Sequence, residues 1–285
     1  MKKRWRSVAL LAVCVVLFAG YLIYRTQGVD HVPPVISVVG DGASILEVSM
    51  GNMHEELLRD IAAYDDHDGD VTDSVLVEQI GNIDADNCVQ VIYAAFDAAG
   101  NVSKFQRTVR LGDYRGPRFQ LDGPLNFIYG TGFDPLKLVG AEDLIDGDIQ
   151  HRVKATLLDE VAISAEGTHN VLFRVTNSLS DTAQLVLPVE VYYAGRYDAQ
   201  LFLTDYLVYI PLNGTFVPES YLAEYHVYGK ATDLSSGVPE GLMLTIDGQV
   251  DTNQSGVYAV SYTVSSTRGN QTSYGYTRLI VVVEG

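Results

Sequence analysis

Residues 87–111 read NCVQVIYAAFDAAGNVSKFQRTVRL. Val89, Val91, Tyr93 and Ala95 alternate with their neighbours, which is the period of a half-buried strand and not of a helix. The run breaks at Asp97-Ala98-Ala99-Gly100-Asn101, a turn composition, and a second strand pattern follows. The same arrangement returns as GTHNVLFRVTNSLSDTAQLVLPVEV at 167–191 and as GVYAVSYTVSSTRGNQTSYGYTRLIVVV at 256–283. Val91, Val171 and Val260 correspond, and so do Tyr93, Phe173 and Tyr262. The turns Gly100-Asn101, Ser180-Asp181 and Gly269-Asn270 correspond as well. A strand pair written three times, at a spacing of roughly 80 residues, is the pattern of tandem β-sandwiches.

Each copy opens on a short apolar stretch: PPVISV at 33–38, GPRFQL at 116–121 and QLFLTDYLVYI at 200–210. HEELLRDIAAY at 54–64 carries Leu57, Leu58 and Ile61 at helical spacing. Its counterparts, FDPLKLVGAED at 133–143 and YLAEYHVYGKATD at 221–233, do not, so an extended strand after a short turn is expected in all three. The expected modules are 33–112, 116–194 and 199–285, each long enough for a seven-strand sandwich with little surplus core.

The N-terminus has a different character. After MKKRWR comes SVALLAVCVVLFAGYLIYR, in which the 17 residues from Val8 to Tyr24 carry no charge. That reaches the lower limit for a spanning helix, and Trp5, Tyr21 and Tyr24 suit the two interfaces. Lys2, Lys3, Arg4 and Arg6 precede the span, so residues 1–6 are expected to stay cytoplasmic and the body to be exported. Residues 7–25 then form a transmembrane signal-anchor helix, and 26–32 a short linker. The alternative is a cleaved signal peptide. Leu17-Phe18-Ala19 is a poor cleavage site and the apolar run continues past it, which favours a retained anchor. Leu11-Ala12-Val13-Cys14 approaches a lipoprotein box, but Val13 is wrong for one. With no wall-sorting motif at the other end, this span is expected to be the sole membrane attachment.

The chain has 285 residues and a net charge of −17, from 36 acidic against 19 basic groups. Four of those cations lie in the first six residues, so the body is more acidic still and is repelled by phosphate backbones. Nucleic acid is excluded as a partner on that ground. Two cysteines, Cys14 and Cys88, make no disulfide framework, and the exported part must rely on its cores. The histidines are scattered, with no zinc-binding spacing, and neither G-x-S-x-G nor a P-loop occurs. Clustered loop acids on a small sandwich make no opposed pair across a cleft, so a glycosidase is disfavoured and no enzyme is expected.

AYDDHDGDVTDS at 63–74 concentrates five aspartates in nine positions. Read with the strand pairs that follow, the copies fit A-x-D-x-x-D-G-D-(V/I)-T and then G-x-Y-x-V-x-Y-x-A-x-D-x-A-G-N, with Asn87 and Val89 at the opening Gly and Tyr places of the first copy. This is similar to bacterial Ig-like repeats of the DUF5011 type. Those are also described as the Ig-like domain of a pesticidal crystal toxin, and are related to HYR and cadherin-like modules. The first copy matches best, through Ala63, Asp65, Asp68, Gly69, Asp70, Thr72, Asp97, Gly100 and Asn101. The second keeps Phe133-Asp134-Pro135, Ala141, Asp143, Asp146-Gly147-Asp148 and Gly167 but has Asn177 in place of the later aspartate. The third keeps Asp233, Gly237, Gly256 and Gly269-Asn270, with Ser236 and Val238 where the acids stood. The resemblance implies an all-β architecture of three Ig-like sandwiches behind one transmembrane helix.

Ig-like order places strand B up to Tyr64, C at 75–80, F at 89–96 and G at 105–111, so the B–C and F–G loops share one end. Asp65, Asp68, Asp70, Asp97 and Asn101 are then neighbours. In the second copy Asp143, Asp146 and Asp148 are joined by Asp113 from the connection before it. Two readings stay open. Oxygen donors without a cation suit calcium. Aspartates also cap turns through nearby backbone N–H groups, and glycine supplies positive φ. No cofactor is required. Nine of the 18 tyrosines fall in the last copy. Strand preference explains them, or Tyr262, Tyr274 and Tyr276 form an aromatic face for a glycan or protein ligand. The expected function is a non-catalytic, membrane-anchored stalk for display, adhesion or scaffolding at a bacterial envelope. A polysaccharide-binding accessory is the alternative, with a hydrolase third.

Overall fold

The computed structural model describes residues 2–27, 30–40, 45–132, 134–158 and 165–285, with the side chains of 2–9 and 23–27 outside the description. The chain divides into two compact units, Met1–Tyr114 and Arg115–Gly285.

The first unit begins with helix α1 (Lys2–Gln27), whose described side chains, from Leu10 to Leu22, are exposed. Among the described residues no helix is long and apolar enough to cross a membrane. The expected interface residues Trp5 and Tyr24 and the basic flank lie outside the described side chains, as does Phe133 from the second copy.

Seven strands follow: β1 (Val35–Val38), β2 (Leu46–Val48), β3 (Ile61–Asp65), β4 (Gly69–Asp70), β5 (Leu76–Ile80), β6 (Cys88–Phe96) and β7 (Val102–Leu111). They form a three-stranded sheet, β1-β3-β4, and a four-stranded sheet, β2-β7-β6-β5, in which β2 runs parallel to β7. The strand pair that opened the sequence reading is in register as expected, with Tyr93 opposite Phe105 and Val91 opposite Arg107. Val89, Val91, Tyr93 and Ala95 all face inward and are buried. The seven-strand count holds, and β5, β6 and β7 are neighbours in the order expected for strands C, F and G; the departure lies between C and F. The chain passes from β5 to β6 through residues 81–87 without a strand. The additional strands are the short β2 and β4.

One segment departs from the sequence reading. Residues Met53–Leu58 form a short helix, α2, where an extended strand and turn were expected. Two contacts account for it. Glu56 Oε2 accepts the Ser49 N–H at 2.9 Å, and the Tyr93 hydroxyl donates to the Leu57 carbonyl at 2.8 Å inside the core. Leu57 itself is buried beneath Tyr93. The counterparts form only 3-10 turns, Pro135–Lys137 and Pro218–Tyr221, as their sequences indicate.

The second unit repeats the same plan twice. Its first set is β8 (Arg118–Leu121), β9 (Asn126–Ile128), β10 (Val139–Asp143), β11 (Gly147–Asp148), β12 (Lys154–Leu157), β13 (Gly167–Thr176) and β14 (Thr182–Tyr192). The second is β15 (Gln200–Leu203), β16 (Leu207–Pro211), β17 (Leu222–Val227), β18 (Lys230–Asp233), β19 (Leu242–Asp247), β20 (Gly256–Arg268) and β21 (Gln271–Glu284). The sheets are β11-β10-β8 with β12-β13-β14-β9, and β15-β17-β18 with β16-β21-β20-β19. Phe119, Val139 and Ala141 of one sheet meet Val171, Phe173 and Leu187 of the other in one core. Leu201, Leu222 and Tyr225 meet Val260, Tyr262 and Leu279 in the next.

These two repeats interlock. Ile280, on β21, is buried in the core built around Phe119 and Phe173. Tyr209 accepts the Phe119 N–H at 3.0 Å, Arg118 pairs with Glu284, and Arg278 pairs with the buried Glu190 at 3.4 Å. Stacked Tyr197 and Tyr276 lie 4.9 Å apart between them.

Tyr93 gives a direct test of the α2 contact. Tyr93→Phe leaves the Leu57 carbonyl buried without its donor and is expected to destabilise by about 1–3 kcal/mol in urea unfolding of the full chain. Phe173 shows that the frame accepts the ring alone, so a loss below about 0.5 kcal/mol would mean that the hydroxyl holds nothing in place.

Candidate functional site

The acidic segment forms the β3–β4 hairpin and the turn after it. Asp65 closes β3 opposite Gly69, whose φ of +79° is the left-handed conformation that glycine accepts without strain. Asp65 Oδ1 accepts the N–H groups of His67 (2.8 Å) and Asp68 (2.9 Å), which folds the loop back on itself. Asp68 reaches across to the next turn, its Oδ2 accepting the Ala98 N–H at 2.8 Å. Asp97 accepts Asn101 N–H and Asn101 Nδ2 at 2.7 Å each. The B–C and F–G loops therefore do share one end, as the sequence reading expects.

A residue outside that reading completes the group. Asp30, in the linker after α1, lies against both loops: Asn101 Nδ2 donates to the Asp30 carbonyl at 3.1 Å. One carboxylate oxygen from each of Asp30, Asp65, Asp68 and Asp97 lies within 4.8 Å of the others. Asp65 is 1% exposed and Asp97 8%. His67 stands at the rim with an exposed ring, 3.3 Å from Asp68 Oδ1, and that hydrogen bond raises its pKa. Burial pushes the Asp97 carboxyl up, but donation from Asn101, Gly100 and Ala99 outweighs it and holds the group below the usual carboxylate value. The signal for Asp30 was present in the sequence. Counting back from Pro34 and Pro117, it occupies the place that Asp113 occupies before the second copy.

Three expected ligands play other parts. Asp70 is exposed and accepts the Thr72 N–H at 3.0 Å. Asn101 directs its amide N–H groups at Asp97, Asp30 and Val32, and so organises the loops as a donor. Asp113 accepts Ser49 Oγ at 3.0 Å and Met50 N–H at 2.8 Å inside the first unit.

The second repeat has the same hairpin with different chemistry. Asp143 Oδ1 accepts the N–H groups of Ile145 and Asp146, as Asp65 does two and three residues on. Its Oδ2 accepts Asn177 Nδ2 at 3.1 Å. Asp146, the counterpart of Asp68, accepts Ser178 N–H at 2.7 Å and pairs with Arg152 at 2.5 Å. Asp148 caps Gln150 N–H and stays exposed, as Asp70 does. The third repeat corrects the alignment drawn from sequence. Asp233 ends β18 and caps Ser235 N–H, so it corresponds to Asp70 and Asp148, and the hairpin there closes on Val227 opposite Lys230 with no acid at its turn.

The third repeat is also where the chain meets a known family. Residues 208–282 match the family described as Bacterial surface protein, Ig-like domain. The segment runs from β16 into β21, whereas the motif resemblance was fullest in the first copy. No curated protein matches the chain. Among solved structures it is similar to Drosophila N-cadherin EC1-4, with TM-score 0.21 and 12% identity over 71% of this chain and 59% of that one. It spans less than two thirds of that cadherin chain. It is similar to mouse cadherin-23 EC22-24, with TM-score 0.21 and 14% identity over 88% and 99% of the two chains. The lipoprotein BT2262 from Bacteroides thetaiotaomicron gives TM-score 0.21 and 12% identity over 57% and 99%.

Within this Ig-like domain the three nominated tyrosines do not form one face. Tyr262 is fully buried, donates to the Pro218 carbonyl at 2.9 Å, and burial pushes its phenol well up. It lies opposite Thr277, so it points inward while Tyr274 and Tyr276 point out. Tyr276 stacks on Tyr197 and accepts from Arg278 at 2.7 Å, and of the three only Tyr274 is exposed. Strand period decides this: positions separated by an odd register step take opposite faces.

The Asp146–Arg152 pair has a defined pH signature. Burial raises Asp146, but Ser178 and Arg152 outweigh it and hold the folded-state pKa below the free value of about 3.9. Its contribution to stability is thus complete above that value and is lost as pH falls through the folded pKa. Carboxyl-carbon NMR is expected to place the Asp146 midpoint below about 3.9 and to move it upward in Arg152→Met. A midpoint unchanged by the substitution would show that the guanidinium does not hold the carboxylate.

Proposed function

We propose that the chain is a non-catalytic surface protein whose Ig-like modules 33–112, 116–194 and 199–285 serve display, adhesion or protein–protein scaffolding at a bacterial envelope. On this reading the modules are tandem repeats of the DUF5011 type, and residues 7–25 are a single-pass anchor with the N-terminus cytoplasmic. Its support is the interlocked pair in the second unit. A sandwich core that takes Ile280 from the next repeat, flanked by Arg278–Glu190 and stacked Tyr197–Tyr276, resists bending at that junction. Such stiffness suits a spacer that presents its far end. The family match at 208–282 agrees with a bacterial surface setting.

The alternative, a polysaccharide-binding accessory, draws on a shallow groove lined by Tyr197, Asp198, Gln200, His226 and Tyr228. Tyr228 and Tyr274 are exposed aromatic surfaces of the kind that stack on sugar rings.

Two measurements bear on these readings. In calorimetry of the full chain, modules two and three are expected to unfold in one transition. Ile280→Ala should destabilise that joint transition by about 2–5 kcal/mol. Independent melting of the two modules in the unsubstituted protein would remove the stiff-junction reading. Protease added to intact cells is expected to digest the body and spare residues 1–6. Protection of the body would overturn surface display, and selective retention on a glycan array, lost in Tyr228→Ala, would favour the alternative.

A further inference from the structure

The Asp30–Asp65–Asp68–Asp97 group differs from an ordinary acidic surface patch in one respect. Asp65 is 1% exposed, and while its Oδ1 accepts two backbone N–H groups, its Oδ2 is shut off from solvent and accepts no hydrogen bond. Asp30 Oδ2 is in the same condition. A buried carboxylate oxygen without a donor is costly, by about 1–3 kcal/mol or more for a charged group. Such atoms persist where something outside the chain satisfies them. Among the described residues the only ion-pair partner of the four acids is the exposed His67, bonded to Asp68 alone.

The second repeat supplies an internal comparison, because the same hairpin there is satisfied by the protein itself. Asp143 Oδ2, the counterpart of the orphaned Asp65 oxygen, takes the Asn177 amide. Asn177 stands where the first repeat has Asp97. Asp146 takes the Arg152 guanidinium, and the residue at that place in the first repeat is Ser74, which donates to the Val71 carbonyl. Where the second repeat has a donor amide and a cation, the first has a further carboxylate and a hydroxyl turned away. Positive charge is missing from the first in the place where the second provides it.

We propose that a divalent cation, calcium by its chemistry, binds in the first unit through carboxylate oxygens of Asp30, Asp65, Asp68 and Asp97. The donor set is all oxygen, which suits a hard ion and not zinc or copper. Calcium bonds oxygen at about 2.3–2.6 Å, so ligands on opposite sides of the ion stand about 4.6–5.2 Å apart. A group confined within 4.8 Å fits that shell. Magnesium dehydrates reluctantly and is usually held by one or two carboxylates plus waters, so a set of four protein carboxylates favours calcium. The bound ion joins three separate pieces of chain: the linker ahead of β1 through Asp30, the β3–β4 loop through Asp65 and Asp68, and the β6–β7 turn through Asp97. It fixes where the linker meets the sandwich. This inference is independent of the surface-protein reading and holds for a module in any setting.

The test is calcium titration of the full chain in detergent, followed by calorimetric binding and by the melting of the first unit. One ion per chain is expected, with half-saturation at about 0.1–1 mM as in extracellular modules, and a melting temperature that rises with calcium. Asp97→Asn copies the residue at that place in the second repeat, so it is expected to fold and to lose the calcium response by at least tenfold in affinity. Asp68→Asn provides a second variant with the same expectation, and Asp143→Asn should leave the response unchanged. The proposal is overturned by no binding and no melting shift at 5 mM calcium (about five times the weakest expected half-saturation), or by a response that survives both Asp97→Asn and Asp68→Asn. An equal response to magnesium at the same concentration would overturn the assignment to calcium.

Discussion

A carboxylate that ends a strand under cover of its own loop has to be satisfied where water does not reach. Asp65 and Asp143 hold that position in the first and second repeats, and much of the local architecture follows from it. One oxygen takes two successive backbone N–H groups and thereby forces the turn. The other faces the opposite loop, so the residue met there decides the chemistry of that end of the module. In the second repeat it meets Asn177 and is satisfied by a hydrogen bond. In the first it faces Asp97 and Asp30, which add charge and no donor. In the third, the strand ends on Val227, and the hairpin turns through Tyr228 and Gly229 without an acid. The hairpin thus comes in an acidic version, one whose buried carboxylate is satisfied by the protein itself, and a tighter one closed by Val227 and Lys230.

The rest of the molecule depends on aromatic and aliphatic packing. Tyr93, Phe173 and Tyr262 occupy one place in three cores and are fully buried in each. Their hydroxyls, where present, pin the segment that precedes the third strand of the repeat: Leu57 in the first repeat and Pro218 in the third. Phe173 performs the packing without the pin. Between the second and third repeats the outer face of β21 becomes interior, because Ile280 packs into the preceding core. This explains why the two repeats form one compact unit while the first stands as another.

The repeat, its period, the β6–β7, β13–β14 and β20–β21 pairings and the meeting of the two acidic loops were legible in the sequence. Alternation of period two marks a strand, and a composition break marks its turn. Four particulars were not. The helix α2 depends on Tyr93, which lies in a distant strand, and on the bond from Ser49 to Glu56. The third hairpin was misaligned because ATD at 231–233 resembles AYD at 63–65, while the pairing of Glu224 with Asp233 places it one strand later. Tyr262 was grouped with Tyr274 and Tyr276, though its partner Thr277 shows that it faces the other way. Asp30 is visible in the sequence only through its correspondence with Asp113, four residues ahead of Pro34 and Pro117.

The sequence by itself determined that this is a chain of repeated β-patterns, strongly acidic, with an uncharged apolar run near its start and aspartates gathered at one loop of each early copy. Those features are local, and period, composition and charge express them directly. Only the tertiary structure decided which oxygens meet. Whether a carboxylate faces Asn177 and Arg152, or three further carboxylates, depends on loops some thirty residues apart closing on one another. The burial that leaves Asp65 Oδ2 without a donor is a property of that closure, and no single segment contains it.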